Sequence, residues 1–436
     1  METNIVPLDG CKRELRITLA AHELEPHYEK AYREAQPEIQ VQGFRKGKVP
    51  LNIIKKRFGK TIENDAVETI ATESFNEAVK ELDAKPIGQP SLKDIQRESD
   101  GSLGLTIGYE VLPEFELQEY RNLEIERLVY PVGEEDVNYE IERLTLERSE
   151  LVDAEQVEND MFFVNVRLNP FDAATGMPLI GAKAEEIRVF LRNQPAGSEL
   201  KTSLLNAKVG DSFRYTVPAG EDGQPAQVMM ASVQEVKQVV PAEFTNAFVE
   251  EVTNGQLTST EIFVEDLEKG IVRARENAIK EAMSNQVVDK ILAAHDFEVP
   301  QSLVQEVISS MLQQDMQRMP DKKLPKNFDI RRYVSSATPV AANTAKWMIL
   351  RERIVERENI TITEDDISAH VEELLGEMGM PTENLEYLRS AIAGDETLQN
   401  RLMHEKVIKT ILDYSVITDK DVEVMKAEAQ AKALAA

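Results

Sequence analysis

The chain has 436 residues, too many for one core of ordinary size, and length alone suggests about three domains. Its 42% hydrophobic and 29% charged residues are a globular balance, which excludes the low-hydrophobicity class of disordered chains. With 78 acidic and 50 basic residues the net charge is −28, so the molecule as a whole repels nucleic acid and anionic membrane, and docking on RNA needs a local basic patch.

Leu15, Ile17 and Leu19 alternate with Arg16 and Thr18, the period of a half-buried strand. Leu24, Tyr28, Ala31 and Ala35 follow at helical spacing. Gly43, Gly47 and Pro50 then mark a loop between helical segments. Val67, Ile70, Ala71, Phe75, Ala78, Val79 and Leu82 form an amphipathic stripe, which PIGQP (86–90) closes. Leu103, Leu105, Ile107, Tyr109 and Val111 alternate as a second strand, so residues 1–112 read as an α+β domain.

Residues 113–149 read as a linker: an extended segment from Leu123 to Tyr130, then a helix from near Glu134 to about Leu151. Residues 150–240 are richer in strands, around Phe163 to Leu168, Val189 to Leu191, Phe213 to Val217 and Val228 to Val236, with Pro and Gly between them. Residues 241–436 are almost wholly helical. Leu267, Ile271, Ala274, Ala278, Ala282 and Val288 make one stripe, and Pro300 opens a helix bearing Leu303, Val304, Val307, Ile308, Met311 and Leu312. The polar loop PDKKLPKNFD separates that helix from another around Trp347 to Glu358. VGEEDV at 132, TEDDI at 363 and TDKDV at 418 share a helix-start pattern, with acids in the first turn to complement the helix dipole. The Ala-rich end, MKAEAQAKALAA, reads as frayed.

GFRKGKVP, from Gly43 to Pro50, is the most informative stretch. Between Ile39 and Ile62 stand seven basic residues (Arg45, Lys46, Lys48, Lys55, Lys56, Arg57, Lys60) and no acid. The glycines permit a tight excursion that presents Phe44, Arg45 and Lys46 at a loop tip. Phe44 offers an apolar anchor, and the cations suit phosphates or carboxylates. On charge alone the stretch reads equally as a solvated loop without a special role.

GFRKGKVP resembles the ribosome-docking signature of the trigger factor family, and its Gly-Phe-Arg-x-Gly-x-x-Pro frame is complete. The likeness extends through RELRITLAAHELE, LNIIKKRFGK, PIGQP and YEVLPEFEL, and more thinly through VVPAEFTNAFVEEV, HDFEVPQSLV and VITDKDV. The resemblance implies a multidomain α+β fold: an N-terminal docking domain, a small strand-rich domain of the FKBP peptidyl-prolyl isomerase type, and an elongated helical C-terminal domain with arms. It implies docking beside the ribosomal tunnel exit, on protein and RNA, through Gly43, Phe44, Arg45, Lys46, Gly47, Lys48 and Pro50. It further implies an ATP-independent, co-translational hold on nascent and unfolded polypeptide, and it leaves open a homodimer away from the ribosome.

Residues 150–240 depart from the FKBP pattern. VRLNPFDAATGMPLIGAK and NQPAGSELKTSLLNAKVGD stand where a Gly-rich turn near Tyr-Thr-Gly and an Ile-Pro-Gly segment belong, and neither signature is present. Phe162, Phe163, Phe171, Phe190, Phe213 and Tyr215 read better as core packing than as a proline pocket. The expectation is a degenerate isomerase domain with weak or lost activity and no assignable catalytic residue. The alternative is a protein whose main role is proline isomerisation.

Client binding needs only dispersed apolar contacts, each burying surface at roughly 25 cal/mol per Å². Methionine adapts to varied shapes, and Met311, Met316 and Met319 beside one loop, with Met378 and Met380 beside another, are the candidates for a substrate-facing surface. Each alone reads better as an ordinary helix-core residue, and the case rests on the clusters. Other chemistry finds no support. Cys11 is the only cysteine, which rules out an internal disulfide or a Cys-based zinc site and fits a reducing compartment. The histidines are scattered, with no metal-ligand spacing, and there is no P-loop or GxGxxG, so no metal or other cofactor is expected. The first residues lack an apolar signal core, and nothing approaches about 18 consecutive apolar residues. The expected setting is the cytoplasm, without a membrane partner.

Overall fold

The computed structural model describes residues 1–171, 183–217, 227–319, 321–378 and 385–422. It is a multidomain α+β protein with a helical C-terminal region, and it divides into two compact units. Met1–Arg127 and Glu281–Lys420 form the first; Leu128–Lys280 make up most of the second.

The first unit begins with β1 (Glu2–Pro7), β2 (Lys12–Leu19), α1 (Ala21–Ala35), α2 (Leu51–Asp65), α3 (Val67–Glu81), β3 (Pro86–Arg97) and β4 (Leu103–Val111). The strands form an antiparallel sheet in the order β1-β2-β4-β3. Its register sets Leu15 opposite Ile107, Ile17 opposite Leu105 and Leu19 opposite Leu103, so the two alternating stripes share a face. Onto that face α3 lays Val67, Ile70, Ala71, Phe75 and Ala78.

Two strands here are not apparent from periodicity. β1 escapes as a short edge strand, and PIGQP proves to be the start of β3 rather than a terminator of the preceding helix. Pro and Gly are tolerated there because β3 is an edge, irregular in register between Ile87 and Ser91. Helix α3 itself ends at Glu81, followed by Asp83 in the left-handed region.

β5 (Glu124–Val129) precedes the main elements of the second unit: α4 (Glu134–Glu147), β6 (Glu150–Ala154), β7 (Phe162–Pro170), β8 (Glu185–Phe190), α5 (Glu199–Leu204), β9 (Ser212–Val217) and β10 (Gln227–Val240). Helix α4 stops at Glu147, short of the expected Leu151, because residues 150–154 pair with the end of β10. The sheet runs β6-β10-β7-β8, with β9 also on β10. Alternation sends Phe162, Val164, Val166 and Leu168 into a core closed by Leu200 and Leu204 of α5. Phe171 is buried, and Phe213 and Tyr215 pack half-buried against that core. Phe163 and Phe190 instead stack on each other at 4.7 Å, with the Arg188 guanidinium over Phe163. Most of VRLNPFDAATGMPLIGAK lies outside the described residues.

α6 (Asn246–Val252) and α7 (Thr260–Ala294) follow, then α8 (Gln301–Arg318), α9 (Ile330–Glu358), α10 (Glu364–Met378), α11 (Leu385–Gly394), α12 (Glu396–Asp413) and β11 (Val416–Asp421). Within the first unit, Val304 and Ile308 of α8 pack on Ala337, Ala341 and Ala345 of α9. Helix α9 extends 17 residues ahead of the stretch expected around Trp347, with Pro339 inside it. Helix starts at 134 and 364 agree with the acidic pattern, but TDKD at 418–421 does not: it is strand, paired with β5. The Ala-rich end lies outside the described residues, among which no helix is long and apolar enough to cross a membrane.

Candidate functional site

The loop between α1 and α2 is anchored at both ends. Gln36, which ends α1, donates from Nε2 to the Val49 carbonyl at 2.7 Å. Val41 and Val49 are buried with Tyr32, Ile54 and Ile62 in a small core of their own. Pro50 supplies the extended entry into α2, whose first helical residue is Leu51. Tyr32 donates its hydroxyl proton to Glu63, tying α1 to α2 beneath the loop. Burial first, and that carboxylate second, push the Tyr32 phenol well above its ordinary range.

Between the anchors the backbone doubles back. Phe44 N–H donates to the Val41 carbonyl at 3.0 Å, and Lys48 N–H donates to the Arg45 carbonyl at 2.9 Å. Gly43 and Gly47 take φ of 94° and 76°, the left-handed region where a side chain is strained. A Cβ on Gly47 would also come within 3.4 Å of the Pro37 carbonyl oxygen. What these turns leave outside is Phe44, 39% exposed, with Arg45, Lys46 and Lys48 exposed beside it. Lys46 meets Glu38 at 3.1 Å, an exposed pair that contributes little and yields readily to a partner. Arg45 and Lys48 have no ion pair among the described residues. The seven residues singled out by the motif thus stand together on one glycine-hinged loop. It presents an aromatic side chain and cations but no nucleophile or general base.

The methionines are less unified. Met311 lies half-buried against the α8–α9 cluster, Met316 is half-buried in the last turn of α8, and Met319 caps that helix. Met378 ends α10, and Met380 lies outside the described residues. A cleft of about 250 Å³ opens between α1 and α3, where Glu73 binds Lys30 at 2.7 Å and His27 at 3.0 Å over a floor that includes Ala31, Ile62 and Ile70. The hydrogen bond from Lys30 holds the Glu73 carboxyl below its ordinary value, against the effect of burial. No group of three His, Cys, Asp or Glu side chains gathers for a metal among the described residues.

Residues 1–144 match the family model described as bacterial trigger factor protein, and residues 260–413 match that of the trigger factor C-terminus. A trigger factor of Salinibacter ruber is 30% identical over 97% of this chain and 96% of its own length. Trigger factor from Chlorobium phaeobacteroides is 27% identical over 97% of this chain and 99% of its own. A solved structure of the trigger factor chaperone aligns at 18% identity with a TM-score of 0.48, covering 95% of this chain and 99% of that one. With family models matched toward both ends and that identity sustained along nearly the whole length of a relative, the chain belongs to the bacterial trigger factor family of chaperones.

Proposed function

We propose that this chaperone docks beside the polypeptide tunnel exit of the cytoplasmic ribosome through Phe44, Arg45 and Lys46. There it shields nascent chains without ATP. The observation that carries the reading is the exposed aromatic tip with its cations, held on buried anchors in a chain of net charge −28. Such a tip is preorganised, so little ordering entropy opposes binding. Phe44 is the anchor for an apolar pocket, and Arg45 is ready for a bidentate acceptor.

In this reading residues 1–112 are the docking domain, 113–149 the linker, 150–240 a degenerate FKBP-like domain and 241–436 the client-holding body. Met311, Met316, Met319, Met378 and Met380 contribute soft client contacts. Many weak apolar contacts let a client leave once its own core forms, and the large negative charge keeps such a surface from aggregating. The isomerase activity of the middle domain is weak or lost; the support is the missing pocket signature, together with Phe162 and Phe171 buried in packing.

Co-sedimentation with ribosomes tests the docking. The intact chain pellets with them, whereas Phe44→Ala/Arg45→Ala/Lys46→Ala stays in the supernatant yet still suppresses aggregation of an unfolded client. Unaltered sedimentation of the triple variant rejects the site. Efficient turnover of a proline peptide rejects the degenerate-isomerase reading.

A further inference from the structure

Helix α2 lacks the charge placement that its own dipole favours. Helices α1 and α3 on either side each place an acid in the first turn and a base in the last, the arrangement that stabilises a helix. Helix α2 has no acid in its first turn and no base in its last, and both of its acids, Glu63 and Asp65, stand in the last turn. Its cations, Lys55, Lys56, Arg57 and Lys60, fall within six residues, and all four are exposed. Lys56 and Lys60 stack one turn apart with Arg57 beside them, so like charges face each other without an intervening acid. None of the four has an ion pair among the described residues. Local stability therefore does not account for where these charges sit.

Resting on the docking reading above, we propose that Lys56, Arg57 and Lys60 form a second contact, separate from the Phe44 tip, that binds the phosphodiester backbone of ribosomal RNA. The chemistry favours RNA over an acidic protein. The exposed face of α2 offers no aromatic anchor, since Phe58 is turned into the loop core with Ile54 and Ile62. Protein interfaces are depleted in lysine and depend on buried anchors, whereas a phosphate row needs only a matching row of cations. Arg57 among the lysines adds a bidentate phosphate ligand. In a molecule of net charge −28 this face, with the loop before it, is a continuous acid-free stretch from Ile39 to Ile62. The two contacts divide the work. The tip fixes position by shape, and the α2 face adds affinity that salt weakens.

The dependence of ribosome affinity on salt distinguishes them. Three phosphate contacts contribute about 2 to 3 to the slope of log K against log salt. Raising salt from 50 to 200 mM should therefore weaken the full-length Lys56→Gln/Arg57→Gln/Lys60→Gln variant about 20- to 40-fold less than the wild type. Phe44→Ala should lower affinity at every salt concentration and leave the slope unchanged. A second arm uses Asn52→Cys on the same exposed face, labelled with a photoreactive maleimide; Cys11 is 2% exposed and does not compete. Cross-links to the ribosome should be released by ribonuclease. A wild-type slope in the triple Gln variant, or cross-links confined to ribosomal protein, overturns the RNA contact. If the tip variants also sediment normally, the docking reading itself has failed.

Discussion

Trp347, the only tryptophan, reports on a titratable contact between α9 and α12. Its indole Nε1–H donates to His404 Nδ1 at 3.2 Å, with the two rings perpendicular. An indole nitrogen only donates, so Nδ1 is unprotonated and the imidazole proton sits on Nε2. Burial first, and then the Arg351 guanidinium, push His404 below its ordinary value, while Glu405 opposes them weakly. Protonating Nδ1 removes the acceptor and brings a second cation beside Arg351.

The folded-state value is depressed, so below about pH 6.5 the unfolded chain binds the proton first. The stabilisation is complete above that pH and is lost as pH falls toward the folded-state value. One proton of difference changes stability by at most about 1.4 kcal/mol per pH unit, and the lost hydrogen bond is worth about 1 kcal/mol. Between pH 7 and pH 5 the segment should therefore lose on the order of 1 kcal/mol. Denaturant titration followed by Trp347 emission measures this locally, which suits a chain with more than one cooperative unit. His404→Asn retains an acceptor near the Nδ1 position and does not titrate, so its midpoint should be flatter across this window. Equal pH dependence in the wild type and His404→Asn, or stability that rises on acidification, would refute the assignment.

The loop between α1 and α2 predicts a separation of stability from contact. Phe44→Ala should change stability by less than about 0.5 kcal/mol, whereas Val49→Ala, which empties a fully buried position, should cost about 1.5–3 kcal/mol; hydrogen exchange across residues 36–50 reads both. Glu110 accepts from Ser302 N–H at 2.8 Å and from Ser302 Oγ at 2.7 Å, so it caps α8 from β4. Glu110→Ala should cost about 1–2 kcal/mol and speed exchange at the first turn of α8, with Glu110→Gln falling between. At the start of α10, burial raises the Asp366 carboxyl, but hydrogen bonds from Lys406 and Thr363 prevail and hold it down to about 2. Its contribution is therefore full above about pH 3.9 and fades as pH falls toward 2. Asp366→Asn should remove that part of the acid transition, as followed by circular dichroism.

Elements with an unbroken period were legible in the sequence. β2 and β4 alternate because one face meets α3, and the stripe of α3 repeats because it covers that face. The loop from Gly43 to Pro50 was legible for another reason: its glycines and its reversal of charge are both local. What escaped depends on partners distant in sequence. β3 contains Pro and Gly that an edge tolerates, and periodicity does not reveal which strand becomes an edge. The first half of α9 hides behind Pro339, which the helix accommodates while Ala337 and Ala341 pack on α8. The cations of α2 were countable in the sequence. That none of them reaches the last turn, where both acids stand, emerged only once the helix bounds were known.

The sharpest case is a pair of segments that local rules do not separate. ITITEDD and VITDKD both run from β-branched residues into Thr-x-x-Asp. In the first, Asp366 accepts from Thr363 N–H at 2.7 Å and Thr363 Oγ1 accepts from Asp366 N–H at 3.3 Å, a reciprocal cap that starts α10. In the second, Val416 N–H donates to the Leu123 carbonyl at 2.8 Å and the chain continues as β11 beside β5. Arg127 forks Asp419 at 2.7 and 2.8 Å, and Lys420 meets Glu126 at 2.5 Å. These pairs are half exposed and screened by solvent, too weak to make a strand by themselves. The decision rests with the backbone ladder that β5 offers, and the crossed charges select the register. The same Thr-x-x-Asp pattern that starts a helix at one place continues as strand at another, because an open strand edge with a waiting arginine is present there.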